Sequence, residues 1–282
     1  MAAKVPFWRA ASVSLLILAV LLMAWEYAVL PRAGGGAAVD PEYAALLGQA
    51  AAQGGTTPMP GPSAIWKRLV ELLSDPFYVR GTNDQGIGVQ IAYSLLRVGA
   101  GFALAAIVAI PLGFLIGMSP LLNAALNPFI QVLRPVSPLA WMPLALYTIK
   151  DSAISSIFVI FICSIWPMLL NTAFGVASVR REWLNVARTL EAGTWKTAIR
   201  VILPAAAPTI VTGMRISIGI AWLVIVAAEM LVGGTGIGYW VWNQWNNLSI
   251  ADIVIAILMI GVVGLLLDRA LGLVAHAVAW RE

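Results

Sequence analysis

The chain has 282 residues, of which 61% are hydrophobic and 11% charged, and its mean hydropathy is +0.89; an ordinary soluble domain is roughly half apolar and about a quarter charged. That balance excludes a soluble globular protein and a disordered one, and it makes the bilayer the solvent that decides the fold. The net charge of +4 fits a membrane protein with cationic cytoplasmic loops better than a nucleic-acid binder. One cysteine, Cys163, and one histidine, His276, leave no intrachain disulfide, thiolate zinc site or His-pair metal site.

Six apolar tracts, taken in chain order, predict an all-α integral membrane protein. The first, Ala10 to Leu30, follows Lys4 and Arg9 but is longer than the roughly 7–15 residues of a signal-peptide core, so it reads as a retained anchor with its N-terminus inside. Residues 31–90 read as an external linker, marked by Gly34 to Gly36 and by the breakers from Gly54 to Pro62, and then an interfacial amphipathic helix bearing Ile65, Trp66, Leu69, Val70 and Leu73. That helix suits either docking of an external partner or packing on lipid and bundle. A core follows from 91 to 282. Its second tract, Val98 to Met118, and its fourth, Ser152 to Val179, are free of charge and long enough to span. The third is expected from about Ala124 to Ile149 across Arg134 and four prolines, and the fifth from about Ala205 to Val232 across Arg215; each should be irregular near one end. The sixth runs from Ile253 to about Val278, where Asp268 and Arg269 are expected to reach each other or the interface.

Loop charges set the orientation. The stretch 179–204 holds Arg180, Arg181, Arg188, Lys196 and Arg200, whereas Gly233 to Asp252 has no Lys or Arg, which places the first inside and the second outside. Both termini are then cytoplasmic. The inner loop predicts one short helix from Trp183 to Gly193 and another from Trp195 to Ile202, ending at Leu203-Pro204.

This loop resembles the cytoplasmic signature of type I ABC importer permeases, which reads Glu-Ala-Ala, three residues, Gly, and then Leu-Pro a fixed distance on. Counting back from Pro204 sets Asn185-Val186-Ala187 where Glu-Ala-Ala stands and Glu191 where the glycine stands, two departures from the general pattern. The resemblance runs from Gly81 to Leu273 and is closest to nitrate-type permeases, within the group that also handles sulfonates, taurine, cyanate and bicarbonate. It is carried by Gly81-Thr82-Asn83, Ser94-Leu95-Leu96-Arg97-Val98, Leu133-Arg134-Pro135 with Pro138-Leu139-Ala140-Trp141, Ser164-Ile165-Trp166-Pro167 with Leu170-Asn171-Thr172, and above all Val226 to Gly234. It implies a six-helix permease subunit in the bacterial inner membrane, moving nitrate, nitrite or cyanate. A sulfonate, taurine or bicarbonate importer is the alternative, and a secondary transporter or channel a more distant one.

The resemblance further implies that the chain is not an enzyme and binds no cofactor. It contains no G-x-x-x-x-G-K-[ST] phosphate loop, so ATP and Mg are expected on partner cassette subunits. The other implied partners are a second permease chain, an external substrate-binding protein and membrane lipid, with no nucleic acid. Cassette coupling would fall to Asn185, Val186, Ala187, Arg188, Leu190, Glu191, Ala192, Gly193 and Trp195.

Charge at membrane depth costs about 2.5–3.5 kcal/mol on insertion scales, which singles out Glu229 and Arg215. Glu229 reads either as an outer gate group paired with Arg97 or as an anchor for the glycine run 233–238; Arg215 reads as a structural residue or as a cation lining the exit. Trp166 joins these pathway candidates but equally suits packing. Tyr239, Trp240, Trp242 and Trp245 predict an interfacial aromatic belt. Gly99, Gly101, Gly113 and Gly117 suit close helix contact.

Overall fold

A computed structural model describes residues 7–29, 59–81 and 84–278. The expected linker at 31–58, the pair Thr82-Asn83 and the last four residues lie outside the described part. In chain order the helices are α1 (Phe7–Val29), α2 (Pro62–Ser74), α3 (Ile87–Met118), α4 (Pro120–Leu133), α5 (Met142–Ile149), α6 (Ser152–Ala177), α7 (Arg181–Thr189), α8 (Thr194–Thr197), α9 (Leu203–Val232), α10 (Ile237–Asn246) and α11 (Ile250–Val278). Among the described residues, five helical stretches are long and apolar enough to cross a membrane, and α4 with Pro138–Ile149 makes a sixth if that pair, bent by 84°, is one span.

The described residues fall into two compact units, Met1–Asp75 with Gln244–Ile257, and Pro76–Asn243 with Leu258–Glu282. In the first, Glu26 of α1 accepts hydrogen bonds from the Ser63 amide at 3.2 Å and the Ser63 hydroxyl at 2.8 Å, satisfying a donor that the first turn of α2 leaves free. Along α2, Arg68 forks onto Asp252 at 2.8 and 3.2 Å, and Ser249 donates to the same carboxylate at 2.9 Å. The Asp252 hydrogen bonds hold the Arg68 guanidinium even more firmly protonated than usual. Ile65 is buried, while Trp66, Val70 and Leu73 stay exposed on one stripe of α2, at helical spacing.

In the second unit α3, α6 and α9 form the core. Three of the four glycines singled out on α3 do the work of close approach: a Cβ would overlap Ile160 at Gly101, the Leu169 carbonyl and Thr172 at Gly113, and the Ala173 carbonyl and Val176 at Gly117. Gly99 faces open space. Two buried hydroxyls are satisfied, one locally and one across helices: Thr172 donates to the Met168 carbonyl at 2.7 Å, and Ser217 of α9 reaches the Ser164 carbonyl of α6 at 2.8 Å. The Trp222 indole donates to the Ile260 carbonyl at 2.9 Å, linking α9 to α11.

Three expectations need correction. The second span begins at Ile87 rather than Val98, because Gln90, Ser94 and Arg97 find polar partners described below and therefore need no water. The third span is broken in its middle rather than frayed at one end: Pro135 offers no amide to continue the helix, and Pro138 holds Ser137 extended at φ −57°, ψ 127°. Asp268 does not turn to Arg269. It accepts two hydrogen bonds from Arg215 of α9, the Nη2 one at 2.6 Å, since a planar guanidinium forks onto a carboxylate across helices better than a sequence neighbour projecting from the same helix can.

Candidate functional site

The residues singled out by sequence fall in three places, and the first is the turn after α9. Glu229 is fully buried at the end of that helix. Its carboxylate accepts from Arg97 at 2.8 Å, from the Gly238 amide at 3.0 Å, and lies 2.9 and 2.8 Å from the Ser94 hydroxyl through its two oxygens. Arg97 also donates to the Thr235 carbonyl at 2.6 Å; the Gly236 amide donates to Gln90 at 2.6 Å and the Ile237 amide to Ser94 at 2.9 Å. Gln90, Ser94 and Arg97 recur at four- and three-residue steps, so one face of α3 carries all three.

This arrangement is a clamp. Both Glu229 oxygens are committed, and a Cβ at Gly236 would overlap the carboxylate while one at Gly238 would overlap the Val226 carbonyl. Gly233 and Gly234 sit at φ 78° and 94°, the left-handed region that side chains disfavour. The glycine run thus turns the chain tightly into α10, and the enclosed carboxylate fixes it to α3. The belt expectation is corrected at one position: Trp240 is buried, whereas Trp242 and Trp245 are exposed, because the turn rolls one face of α10 inward.

The second place is the loop between α6 and α9. The helix expected through Gly193 stops at Thr189. Glu191 then adopts φ 51°, and the amides of Leu190 and Ala192 donate to the carbonyls of Val186 and Ala187, both at 3.0 Å. This is a helix-ending motif whose left-handed position is normally a glycine. Leu190, Glu191, Ala192 and Gly193 therefore form a turn rather than helix, and Trp195 lies in the first turn of α8, which a stretch of wide helical turns at Ala198–Ile202 joins to α9. Ala187 packs inward at 5% exposure, while Val186, Leu190 and Trp195 are 59, 74 and 82% exposed. Asn185, Arg188 and Glu191 also face outward. The result is an apolar patch on a polar loop, a surface fit for a partner.

The third place lies midway along the spans. Arg215 is neutralised by Asp268. Trp166 lines a cavity of about 550 Å³ whose wall also includes Arg134, at the break of the third span, and Asn171. Sequence reasoning noted Arg134 as an interruption and as part of the resemblance, and Asn171 only as part of the resemblance; the signal that picks out Arg134 is its place between Leu133 and Pro135, where the helix ends. Among the described residues there is no group of three or more His, Cys, Asp or Glu able to hold a metal.

Several apolar spans, one of them bent, with an ordered helical loop between two of them, define a multi-pass membrane protein. Comparison with known proteins makes the assignment specific: residues 109–280 match the model of the binding-protein-dependent transport system inner membrane component family, and the chain belongs to that family. It is a type I ABC importer permease subunit, a transport component rather than an enzyme. It is 46% identical over 211 residues to the nitrate import permease protein NrtB of Synechocystis sp., covering 75% of this chain and 77% of that one. It is 44% identical over 227 residues to the bicarbonate transport system permease protein CmpB of Synechococcus elongatus, covering 79 and 82%. The fold resembles a chain of the inward-facing MetNI methionine ABC transporter with TM-score 0.58 at 14% identity, over 67% of this chain and 94% of that one.

Proposed function

We propose that this permease imports a small inorganic anion, nitrate first and nitrite or cyanate next, across the inner membrane, with bicarbonate the closest competing cargo. The observation that carries this reading is the 46% identity to a nitrate import permease. The 44% identity to a bicarbonate permease keeps the second cargo in contention; the sulfonate and taurine importers of the same group stand behind it.

In this reading two permease copies join two ATP-hydrolysing cassettes, and an external binding protein delivers the anion. Both termini are cytoplasmic, so α7 and the Leu190–Gly193 turn meet the cassette, where the exposed Val186, Leu190 and Trp195 supply apolar contact and the buried Ala187 holds the turn in shape. Closure of the cassettes on ATP moves this element, and the spans open outward to receive the anion. ATP and Mg reside on the cassettes, and the permease binds no cofactor of its own. The purified permease alone is accordingly expected to show no ATPase activity.

The deciding experiment is anion uptake by the complete transporter in proteoliposomes, with nitrate, nitrite, cyanate, bicarbonate and sulfonates competing. Nitrate uptake driven by ATP and the binding protein, with nitrite and cyanate the best inhibitors, is expected. Uptake of bicarbonate alone would move the assignment to the second cargo, and ATPase activity of the isolated permease would overturn the division of labour.

A further inference from the structure

A permease served by a binding protein needs no selective site of its own, yet the middle of this one holds an unneutralised cation beside a cavity. Arg134 ends α4 where the third span bends by 84°. It shares the wall of the 550 Å³ cavity with Pro138, Trp166, Asn171, Phe174 and Ile216. Trp166 and Ile216 lie midway along α6 and α9, which puts the cavity near the middle of the spans rather than at a mouth.

Three observations point to an anion. Arg134 makes no ion pair and no side-chain hydrogen bond among the described residues, and no acidic residue lines the cavity. By contrast, two arginines on spans of this unit are answered by carboxylates, Arg97 by Glu229 and Arg215 by Asp268. The Trp166 indole N–H, a donor only, is likewise without a hydrogen-bond partner, and the Asn171 amide donates at 2.8 Å to the Pro167 carbonyl, which fixes its side chain along the wall.

We propose that this cavity is a transit subsite in the permease itself, where the Arg134 guanidinium holds a small, weakly hydrated monovalent anion on its way between the two sides. A guanidinium fits planar oxyanions through paired donors. Because the rest of the wall is mostly apolar, an anion entering it sheds water that nothing but Arg134 and Trp166 replaces. Weakly hydrated nitrate or cyanate meets that demand more easily than bicarbonate, and a divalent anion such as sulfate is excluded. The subsite rests on the anion-import reading and deepens it by giving the permease a share in selectivity.

The test compares Arg134→Gln, Arg134→Lys and Asn171→Asp in the complete transporter. Nitrate uptake should fall roughly tenfold or more in Arg134→Gln, as loss of a hydrogen bond to a charged group implies, and less in Arg134→Lys. Subunit stoichiometry and basal ATPase rate should match the parent in both. Asn171→Asp, near-isosteric but anionic, should lower uptake as Arg134→Gln does and decides the matter if the glutamine variant fails to assemble. A direct measurement adds bromide to crystals of the purified complex: an anomalous peak within hydrogen-bond reach of Arg134, lost in Arg134→Gln, is expected. Parent-like nitrate uptake in Arg134→Gln or Asn171→Asp, or no bromide peak at Arg134, overturns the subsite. So does loss of the second permease copy in Arg134→Gln with normal transport in Asn171→Asp, which makes the arginine an interface residue. A parent that carries bicarbonate but not nitrate sinks the nitrate assignment and the preference for weakly hydrated anions together, and bicarbonate uptake by Arg134→Gln and Asn171→Asp then decides whether the cavity is a transit subsite at all.

Discussion

The turn after α9 and the loop between α6 and α9 are built to opposite plans. In the first, every functional group finds its partner within the chain: the Glu229 carboxylate is buried under Ser94, Arg97 and Gly238. In the second, the backbone is satisfied but the apolar side chains are not, since Leu190 and Trp195 stand 74 and 82% exposed. The contrast separates a turn whose polar groups are closed within the chain from a loop that leaves apolar side chains exposed. A charged residue at membrane depth is a functional candidate by default, yet at Glu229 complete satisfaction argues for a structural clamp.

If that division is right, the largest effect belongs to the clamp. Glu229→Ala leaves Arg97 buried without its carboxylate and frees the glycine turn, at a cost of about 3–5 kcal/mol, the range for breaking a buried pair from one side. Yield of monodisperse permease and its thermal midpoint should collapse. Glu229→Gln keeps one acceptor for Arg97 or Gly238, so it should assemble and retain most transport; selective loss of transport in a well-assembled glutamine variant would return Glu229 to the gate.

Leu190→Glu probes the other plan. In the free permease the side chain is exposed, and exposed changes usually lie within about 0.5 kcal/mol, so the isolated subunit should melt as the parent does. In the complex the new carboxylate would be desolvated against the cassette without a partner, which should weaken co-purification or uncouple ATP hydrolysis from anion uptake. Normal values of all three would leave the loop a mere connector.

Arg215 and Asp268 occupy an intermediate case, paired but half exposed. Arg215→Gln or Asp268→Asn alone strands a charge midway along a span, while the double variant strands none. Thermal midpoints should rank the double variant above either single one. A double variant no better than the singles would assign these residues separate roles.

What the sequence made legible follows the same line. Spans two, four, five and six were readable as apolar runs, because lipid selects length and hydrophobicity without regard to neighbours. The first eleven residues of α3 were not, since Gln90, Ser94 and Arg97 look like water-facing polarity until their partners beyond Glu229 are brought beside them from more than 130 positions away. Their four- and three-residue spacing was the available signal. The break at Arg134 was visible as prolines but not as a cavity, because a cavity is a property of three spans together. In the inner loop the resemblance set Glu191 where the signature has its glycine, but helical periodicity ran through it, since nothing in a glutamate announces a positive φ.

That residue supplies the smallest and sharpest test. At φ 51° a non-glycine residue carries a strain of about 1 kcal/mol, because its Cβ crowds the carbonyl oxygen in the left-handed region. Glycine removes the strain but returns part of the gain as extra freedom in the unfolded chain. Glu191→Gly should therefore slow exchange of the Ala192 amide, which donates to the Ala187 carbonyl, by up to about fivefold, the equivalent of 1 kcal/mol. Glu191→Ala removes the same carboxylate without relieving φ and should exchange like the parent. Equal exchange in all three proteins would mean that the left-handed turn does not limit the stability of this loop. Cassette co-purification then adds a second reading from the same variants. If the Glu191 side chain touches the cassette, Gly and Ala should bind it equally poorly although only Gly steadies the turn; if the backbone geometry is what matters, Gly should bind at least as well as the parent.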